Sequence, residues 1–246
     1  MLQTFAADLH IHSCLSPCGE WEMSPARIIR RAREAGLDLI AVCDHNSCEN
    51  AGALQRAGRR EGVTVLAGLE VCSREEVHVL ALFPELDAGL ALQAWVYEGL
   101  EGENRPELFG WQVVADENDE VLGENPRLLI GATRWGLAEI VRRTRGLSGL
   151  TIAAHVDRPA HGILNQLGFI PQEPAFDAVE VSWRVPRGEA RSRFPAIGAL
   201  PCITASDAHT LADIGRARMR LRLAAPSLEE LRLALRAEDG RGLLDD

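Results

Sequence analysis

No stretch of this chain approaches the roughly 20 consecutive apolar residues that a membrane span needs, so a membrane-spanning protein is not expected. The opening Met1-Leu2-Gln3-Thr4 lacks a basic segment followed by an apolar core; no secretory signal is readable, and a cytoplasmic location is the default expectation. Positive charge is scarce: 26 Lys plus Arg against 36 Asp plus Glu leave a formal net charge of -10. A wide footprint on duplex nucleic acid needs a basic surface that displaces counterions, so duplex binding is excluded on this reading. A small phosphorylated substrate, or a short single strand held in a local pocket, remains compatible. Internal repeats and low-complexity segments are absent. The 6 cysteines are expected as buried free thiols, and no second pair accompanies Cys14-x-x-x-Cys18 at zinc-ribbon spacing.

What is present reads as strands alternating with helices. A length of 246 residues supports a sizeable core, and a single domain over 1–246 is expected. Runs at 38–42, 63–72, 77–83, 150–155, 178–182, 202–209 and 219–223, mostly apolar or β-branched, predict strands. Helices are expected near 25–35, 49–60, 85–99, 137–145 and 227–236, several opened by Ser or Pro and closed by Gly. Such alternation predicts an α/β fold with mostly parallel strands, either a barrel or a doubly wound sheet. Residues 100–131 break the pattern and read as an inserted flap or hairpin.

The polar residues interrupting these runs carry the chemistry. In an extended strand alternate side chains share a face, so His10 and His12 point the same way, about 6.6 Å apart along the backbone. Of the 7 histidines, His10, His12, His45, His78, His155 and His209 lie in or at the end of a predicted strand; only His161 does not. Asp207-x-His209 repeats the spacing with a carboxylate, and Glu70 sits in an apolar run where an unpaired charge is costly. These nitrogen and oxygen donors suit zinc, iron or manganese. They are too many for one ion, and a cluster of two or three divalent ions bridged by a carboxylate would use them.

Asp8-Leu-His-Ile-His-Ser13, Cys43-Asp-His-Asn46, Gly68-Leu-Glu70, Val77-His78-Val79, Ala154-His155 and Ser206-Asp-Ala-His209 resemble, in order, the motifs of the PHP (polymerase and histidinol phosphatase) family of metal-dependent phosphoesterases. The resemblance implies a distorted (β/α)7 TIM-like barrel with up to three metals at the carboxyl ends of its strands. It implies His10, His12, Glu70 and Asp207 around one ion, Glu70, His78 and His155 around a second, and His45 and His209 around part of a third. The family's usual His or Asp in the loop after the first motif is replaced here by Ser16-Pro17-Cys18-Gly19-Glu20, leaving Cys18 or Glu20 as candidate third-site ligands.

Metal ions lower the pKa of a bound water to about 7, and the resulting hydroxide would attack phosphorus in line. Asp44, Asp207 or a ligand histidine is a candidate to orient it. Phosphate needs fixed positive charge, best offered by the planar fork of arginine. Arg158 is the leading candidate, with Arg134 and Arg184 behind it and His161 as a further substrate contact. Glu180 faces the barrel interior if Val179 and Val181 face the helices. The expected activity is hydrolysis of phosphate monoesters, on small nucleotides of the nucleoside 3',5'-bisphosphate type or on short oligonucleotide ends. Histidinol phosphatase is the nearest alternative, and a non-catalytic, metal-stabilised interaction module is the alternative of another class.

Overall fold

The computed structural model describes residues 1–244. In chain order its elements are β1 (Gln3–Ile11), α1 (Pro25–Glu34), β2 (Leu39–His45), α2 (Ala51–Glu61), β3 (Thr64–Cys72), β4 (His78–Phe83), α3 (Leu86–Glu98), α4 (Pro106–Phe109), β5 (Val113–Ala115), β6 (Val121–Glu124), α5 (Leu137–Gly146), β7 (Leu150–Ala153), α6 (Ile163–Leu167), β8 (Ala178–Ser182), α7 (Ala190–Arg193), β9 (Cys202–Ala205), β10 (Met219–Leu223), α8 (Leu228–Leu235) and β11 (Gly242–Leu244). One curled sheet runs β11-β10-β1-β2-β3-β4-β7-β8-β9, and β5 and β6 pair apart from it. Its curl brings the segment after β9 back to β1: Ile11 bridges Ala208, and the His12 N–H donates to the Ala208 carbonyl at 2.9 Å. The distorted TIM-like barrel expected from the sequence is therefore present, tied shut at the carboxyl ends of its strands.

Not every strand is parallel. Only residues 73–77 separate β3 from β4, far fewer than the dozen or so a parallel crossover requires, so the two form an antiparallel hairpin with Cys72 opposite His78. Strand β10 likewise runs antiparallel to β1, and β11, which the hydropathy pattern did not announce, completes that edge.

Alternation along the strands builds two apolar layers. Leu66, Leu80, Leu82, Ile152 and Ile203 fill the barrel interior, whereas Leu69, Val79, Phe83, Val179 and Val181 face the outer helices. Each such side chain contributes about 1.5–3 kcal/mol by leaving water. Gly68 is required by this packing: a Cβ there would lie 2.9 Å from Cys43 Sγ and from Leu82 Cδ2. In β1 the pairing register shifts between Asp8 and Ile11, so Leu9 packs in the interior while Ile11 packs outward against α1. A bulge of this kind re-aims the following side chains, here into the top of the barrel.

The segment 100–131 contains the expected hairpin, β5 with β6, and it is laid over the loops that follow β1 and β2. The Val113 N–H donates to the Cys14 carbonyl at 2.9 Å, and the Asn46 amide donates to the carbonyls of Leu129 and Gly131, each at 2.8 Å. The helix expected at 137–145 is α5; Gly136 precedes it, its N–H donating to the Glu139 carboxylate at 2.8 Å.

Candidate metal centre

Six strands of the closed rim, β1, β2, β3, β4, β7 and β9, deliver donors to one place. His10 lies near the end of β1 and His12 just beyond it, His45 ends β2, Glu70 lies in β3, His78 opens β4, His155 follows β7, and Asp207 and His209 follow β9. All but His209 are buried. Two of them sit on backbone in the left-handed region, His155 at φ 26 and Asp207 at φ 48, and Asn46 beyond His45 does the same at φ 52. A non-glycine residue there costs on the order of 1 kcal/mol, and the surrounding hydrogen bonds hold these turns against that cost. Asp8 contributes most plainly, accepting from the N–H groups of Ser206 at 3.0 Å and Gly215 at 2.9 Å and so fixing the turn that carries Asp207.

Glu70 is the hub. Its Oε1 lies 2.8 Å from His78 Nδ1, 2.9 Å from His155 Nε2 and 3.4 Å from His10 Nε2. Its Oε2 lies 3.0 Å from His45 Nδ1 and 3.5 Å from His12 Nε2. The two Nε2 atoms of His10 and His12 are 3.1 Å apart, and Asp207 Oδ1 lies 3.5 and 3.2 Å from them. Donors about 2.0–2.2 Å from a common ion are separated by about 3.0–3.5 Å from one another, so these spacings fit the edges of a coordination polyhedron. His78 Nδ1 makes no aligned hydrogen bond despite its approach to Glu70, as expected of two lone pairs aimed at one point. Donor atoms of His10, His12 and Glu70, of His45, Glu70 and His78, and of His12, His45 and His209 each fall within 4.8 Å of one another.

Electrostatics agree with the spacing. Burial works against a charge on Glu70, yet His78 and His10 hold its carboxyl well below the usual range; Asp207 is held down in the same way by His10 and His12. His10 is pushed well above its ordinary value, against its burial, by Glu180, Asp207 and Glu70. Burial lowers His78 to about 4 although Glu70 opposes it, and burial with the neighbouring His209 lowers His12. His45, like His10, is pushed well above its ordinary value against its burial, by Cys18 and Glu70, so the pocket favours positive charge at its centre, which a divalent cation would supply in place of those protons.

Two carboxylates stand behind the histidines. His10 Nδ1 donates to Glu180 Oε2 at 2.9 Å, with Val179 and Val181 facing outward as the sequence condition required. Asp44, a candidate for orienting the nucleophile, is instead consumed behind His12: it accepts from Ser13 N–H at 2.7 Å, Ser13 Oγ at 2.6 Å and Ser16 Oγ at 2.7 Å, and Ser16 Oγ lies 2.8 Å from His12 Nδ1. Alternation explains the correction, because Asp44 precedes His45 and points to the opposite face of β2.

The remaining candidates divide. Arg158 Nη2 contacts Asp207 Oδ2 closely at the rim. His161 stacks on His78 with ring centroids 4.2 Å apart, and Cys72, His78 and His161 form a further donor group that the sequence reading missed. The antiparallel pairing of Cys72 with His78 was the signal that could have found it. Cys18 is an exposed residue whose thiol burial would raise, but His209 and His45 beside it bring it down to about 6, which sets this loop residue next to the third donor group. Glu20 is exposed, and what reaches the site is its N–H, donating to the His209 carbonyl at 2.9 Å. Arg134 lays its guanidinium 4.7 Å from the Trp135 ring, and Arg184 lies 5.1 Å from the Trp183 ring.

Comparison with known proteins accounts for this arrangement. The phosphoribosyl 1,2-cyclic phosphate 1,2-diphosphodiesterase of Eggerthella lenta is 29% identical over 111 residues, 43% of this chain and 40% of that protein. A lesion-specific endonuclease from Pyrococcus furiosus superimposes with a TM-score of 0.71 at 20% identity, over 98% of this chain and 58% of that one. An Endonuclease Q complex with a 27-mer duplex carrying an abasic lesion gives 0.67 at 19% identity, again over 98% and 58%. That likeness is one of fold alone; separately, a whole-chain charge of -10 does not by itself exclude a duplex, because duplex contact depends on local rather than net charge. The chain spans less than two thirds of the length of the curated relatives it matches. Among the described residues no helix is long and apolar enough to cross a membrane. The family model for the PHP-associated region matches residues 198–239, which hold the turn bearing Asp207 and His209, and the model for the PHP domain matches residues 8–162, which hold every other donor. More than half of the chain is covered by that second match, and the protein belongs to the PHP domain family.

Proposed function

We propose that this chain is a single-domain, metal-dependent phosphoesterase acting on phosphate esters of small nucleotides or short oligonucleotide ends. One observation carries the reading: the single buried carboxylate of Glu70 lies within 3.5 Å of five histidine nitrogens, the position of a ligand that bridges ions. His10, His12, Glu70 and Asp207 would hold one ion and Glu70, His78 and His155 a second. His45, His209 and the Cys18 thiol would hold a third, with manganese, zinc or iron matching the donors. Such ions supply Lewis acidity to phosphoryl oxygens and lower the pKa of water to about 7.

The chain's own residues do the rest. Glu180 keeps the Nδ1 proton on His10 and so presents Nε2 as a bare donor; Ser16, backed by Asp44, fixes His12. Arg158, partly exposed beside Asp207, offers its fork to the nonbridging oxygens of the ester. His161, stacked on His78 and tied through Nδ1 to the Glu76 carbonyl at 3.1 Å, flanks the substrate on the other side.

Phosphate release by manganese-loaded protein tests this on a panel of histidinol phosphate, nucleoside monophosphates, nucleoside 3',5'-bisphosphates, a cyclic phosphodiester and short oligonucleotides, with His10→Ala as control. A nucleotide winner that disappears in His10→Ala is the expected result. Preference for histidinol phosphate would replace the substrate class, preference for the cyclic diester would move the reaction to diesters, and no turnover with metal bound would favour a non-catalytic module.

A further inference from the structure

An arginine-lined groove lies beside the turn that carries Asp207. Arg216 donates through Nε and Nη2 to the Ser206 carbonyl at 3.2 and 2.9 Å, directly before Asp207, and on its other side opens a groove of about 570 Å³. Arg187, Arg216, Arg218 and Arg220 line the groove together with Trp183, and among the described residues no acidic side chain does. In a chain of net charge -10 this is a local reversal of sign, and it is made wholly of arginine, since the sequence contains no lysine.

The arginines are also arranged for planar recognition. Trp183, an exposed aromatic side chain, has the guanidinium of Arg216 at 4.4 Å and that of Arg184 at 5.1 Å from its ring centre. Stacking on an aromatic face holds a guanidinium flat and reduces the entropy lost when its remaining N–H groups grip oxygens. Arg216 is partly neutralised by Asp213 at 2.6 Å and Arg218 donates to the Ala35 carbonyl at 3.2 Å, whereas Arg220, exposed on β10, has no ion-pair partner among the described residues. Trp183 itself follows Ser182, which Asp157 ties to the loop of Arg158 through 2.6 Å bonds to its N–H and Oγ. The groove and the rim of the metal centre therefore share one wall.

We propose that this groove binds the phosphodiester backbone of a nucleic acid strand whose scissile ester lies in the metal centre. The proposal rests on the phosphoesterase reading and narrows its substrate class: repeated phosphates match repeated arginines, so an oligonucleotide is held at a distance from the bond that reacts, and a mononucleotide is not. Arg184, its guanidinium 5.1 Å from the Trp183 ring, stands beside this groove.

The test is the binding of a fluorescein-labelled single strand of about 12 nucleotides, followed by anisotropy across a salt series. Wild type is compared with Arg218→Ala/Arg220→Ala and with a control, Arg27→Ala/Arg30→Ala on the exposed face of α1. The groove variant should bind about tenfold more weakly, its log–log salt slope reduced by about 1.4 for two lost phosphate contacts, while the control binds as wild type does. Hydrolysis of a nucleoside monophosphate should be unchanged in both variants. Wild-type affinity and slope in the groove variant would overturn the proposal, as would an equal loss in the control. If wild type hydrolyses no ester at all, the phosphoesterase reading fails, and the binding comparison still decides the groove.

Discussion

The Nδ1 of His10 donates to Oε2 of Glu180 at 2.9 Å with both side chains wholly enclosed, and the second carboxylate oxygen, Oε1, has no hydrogen-bond partner among the described residues. A carboxylate in that position fixes the tautomer of the ring and raises the donor strength of Nε2. Glu180→Gln keeps the volume and removes the charge, and it should weaken metal affinity by about 10–100-fold while circular dichroism stays native. Metal titration reads this directly; unchanged affinity would make Glu180 a mere filler of the barrel.

Asp44 separates two roles by kinetics. If it acts through Ser16 on His12, Asp44→Asn should cost about 1–3 kcal/mol of stability and weaken metal binding, yet the pH profile of kcat at saturating metal should keep its acidic limb. Disappearance of that limb would return Asp44 to the reacting water.

The contrast between these two carboxylates shows what could be read from the chain and what could not. The donors at 10, 12, 45, 70, 78, 155, 207 and 209 stood out because each ends or interrupts an apolar run, and a buried polar group needs a reason. Strand existence followed from the same runs. Direction did not: β3 and β4 each look like a core strand, and only the five-residue gap between them dictates a hairpin and brings Cys72 to His78. Asp44 was misplaced because its neighbour His45 drew it into the site, although adjacent residues of a strand face opposite ways. The arginines could be ranked but not placed, since a long flexible side chain can follow its loop in several directions; Arg158 meets Asp207, whereas Arg134 lies against Trp135 and Arg184 beside Trp183.

Arg158→Ala should lower kcat/KM for phosphate esters by about 10–100-fold, mostly through KM, because a charge-assisted contact to the substrate contributes about 1.5–3 kcal/mol. Metal stoichiometry should not change. Arg158→Lys, which keeps the charge and loses the fork, should recover only part of the loss; full recovery would mean that point charge alone suffices.

Cys18 provides a readout of the third donor group. It is the exposed cysteine, while Cys14, Cys43, Cys48, Cys72 and Cys202 are buried, with thiols that burial pushes upward. Iodoacetamide at neutral pH should therefore label Cys18 first in chelator-treated protein, and manganese or zinc should suppress the labelling if the thiol holds an ion with His45 and His209. Labelling at the same rate with and without metal would remove Cys18 from the centre. The same chelation should lower Tm and re-addition should restore it, since an ion present at 100 times its Kd stabilises the fold by about 2.7 kcal/mol.

Gly110 is where the hairpin segment bears on the loop carrying Cys18. Its φ is 103, and a Cβ at this position would overlap the Pro17 carbonyl oxygen, so Gly110→Ala meets both a disfavoured backbone and a steric clash. The segment must then lift from Pro17, although its bonds from Val113 to Cys14 and from Asn46 to Leu129 and Gly131 would keep it attached at either side. The expected cost is about 1–3 kcal/mol, which for a chain of this size lowers Tm by roughly 2–10 °C. Alkylation of Cys18 should accelerate in step, because the loop loses the segment that leans on it, while the ions held by Glu70 stay in place. An unchanged Tm with unchanged alkylation would mean that the segment rests on the loop without restraining it, and that the order of the third donor group comes from His45 and His209 alone.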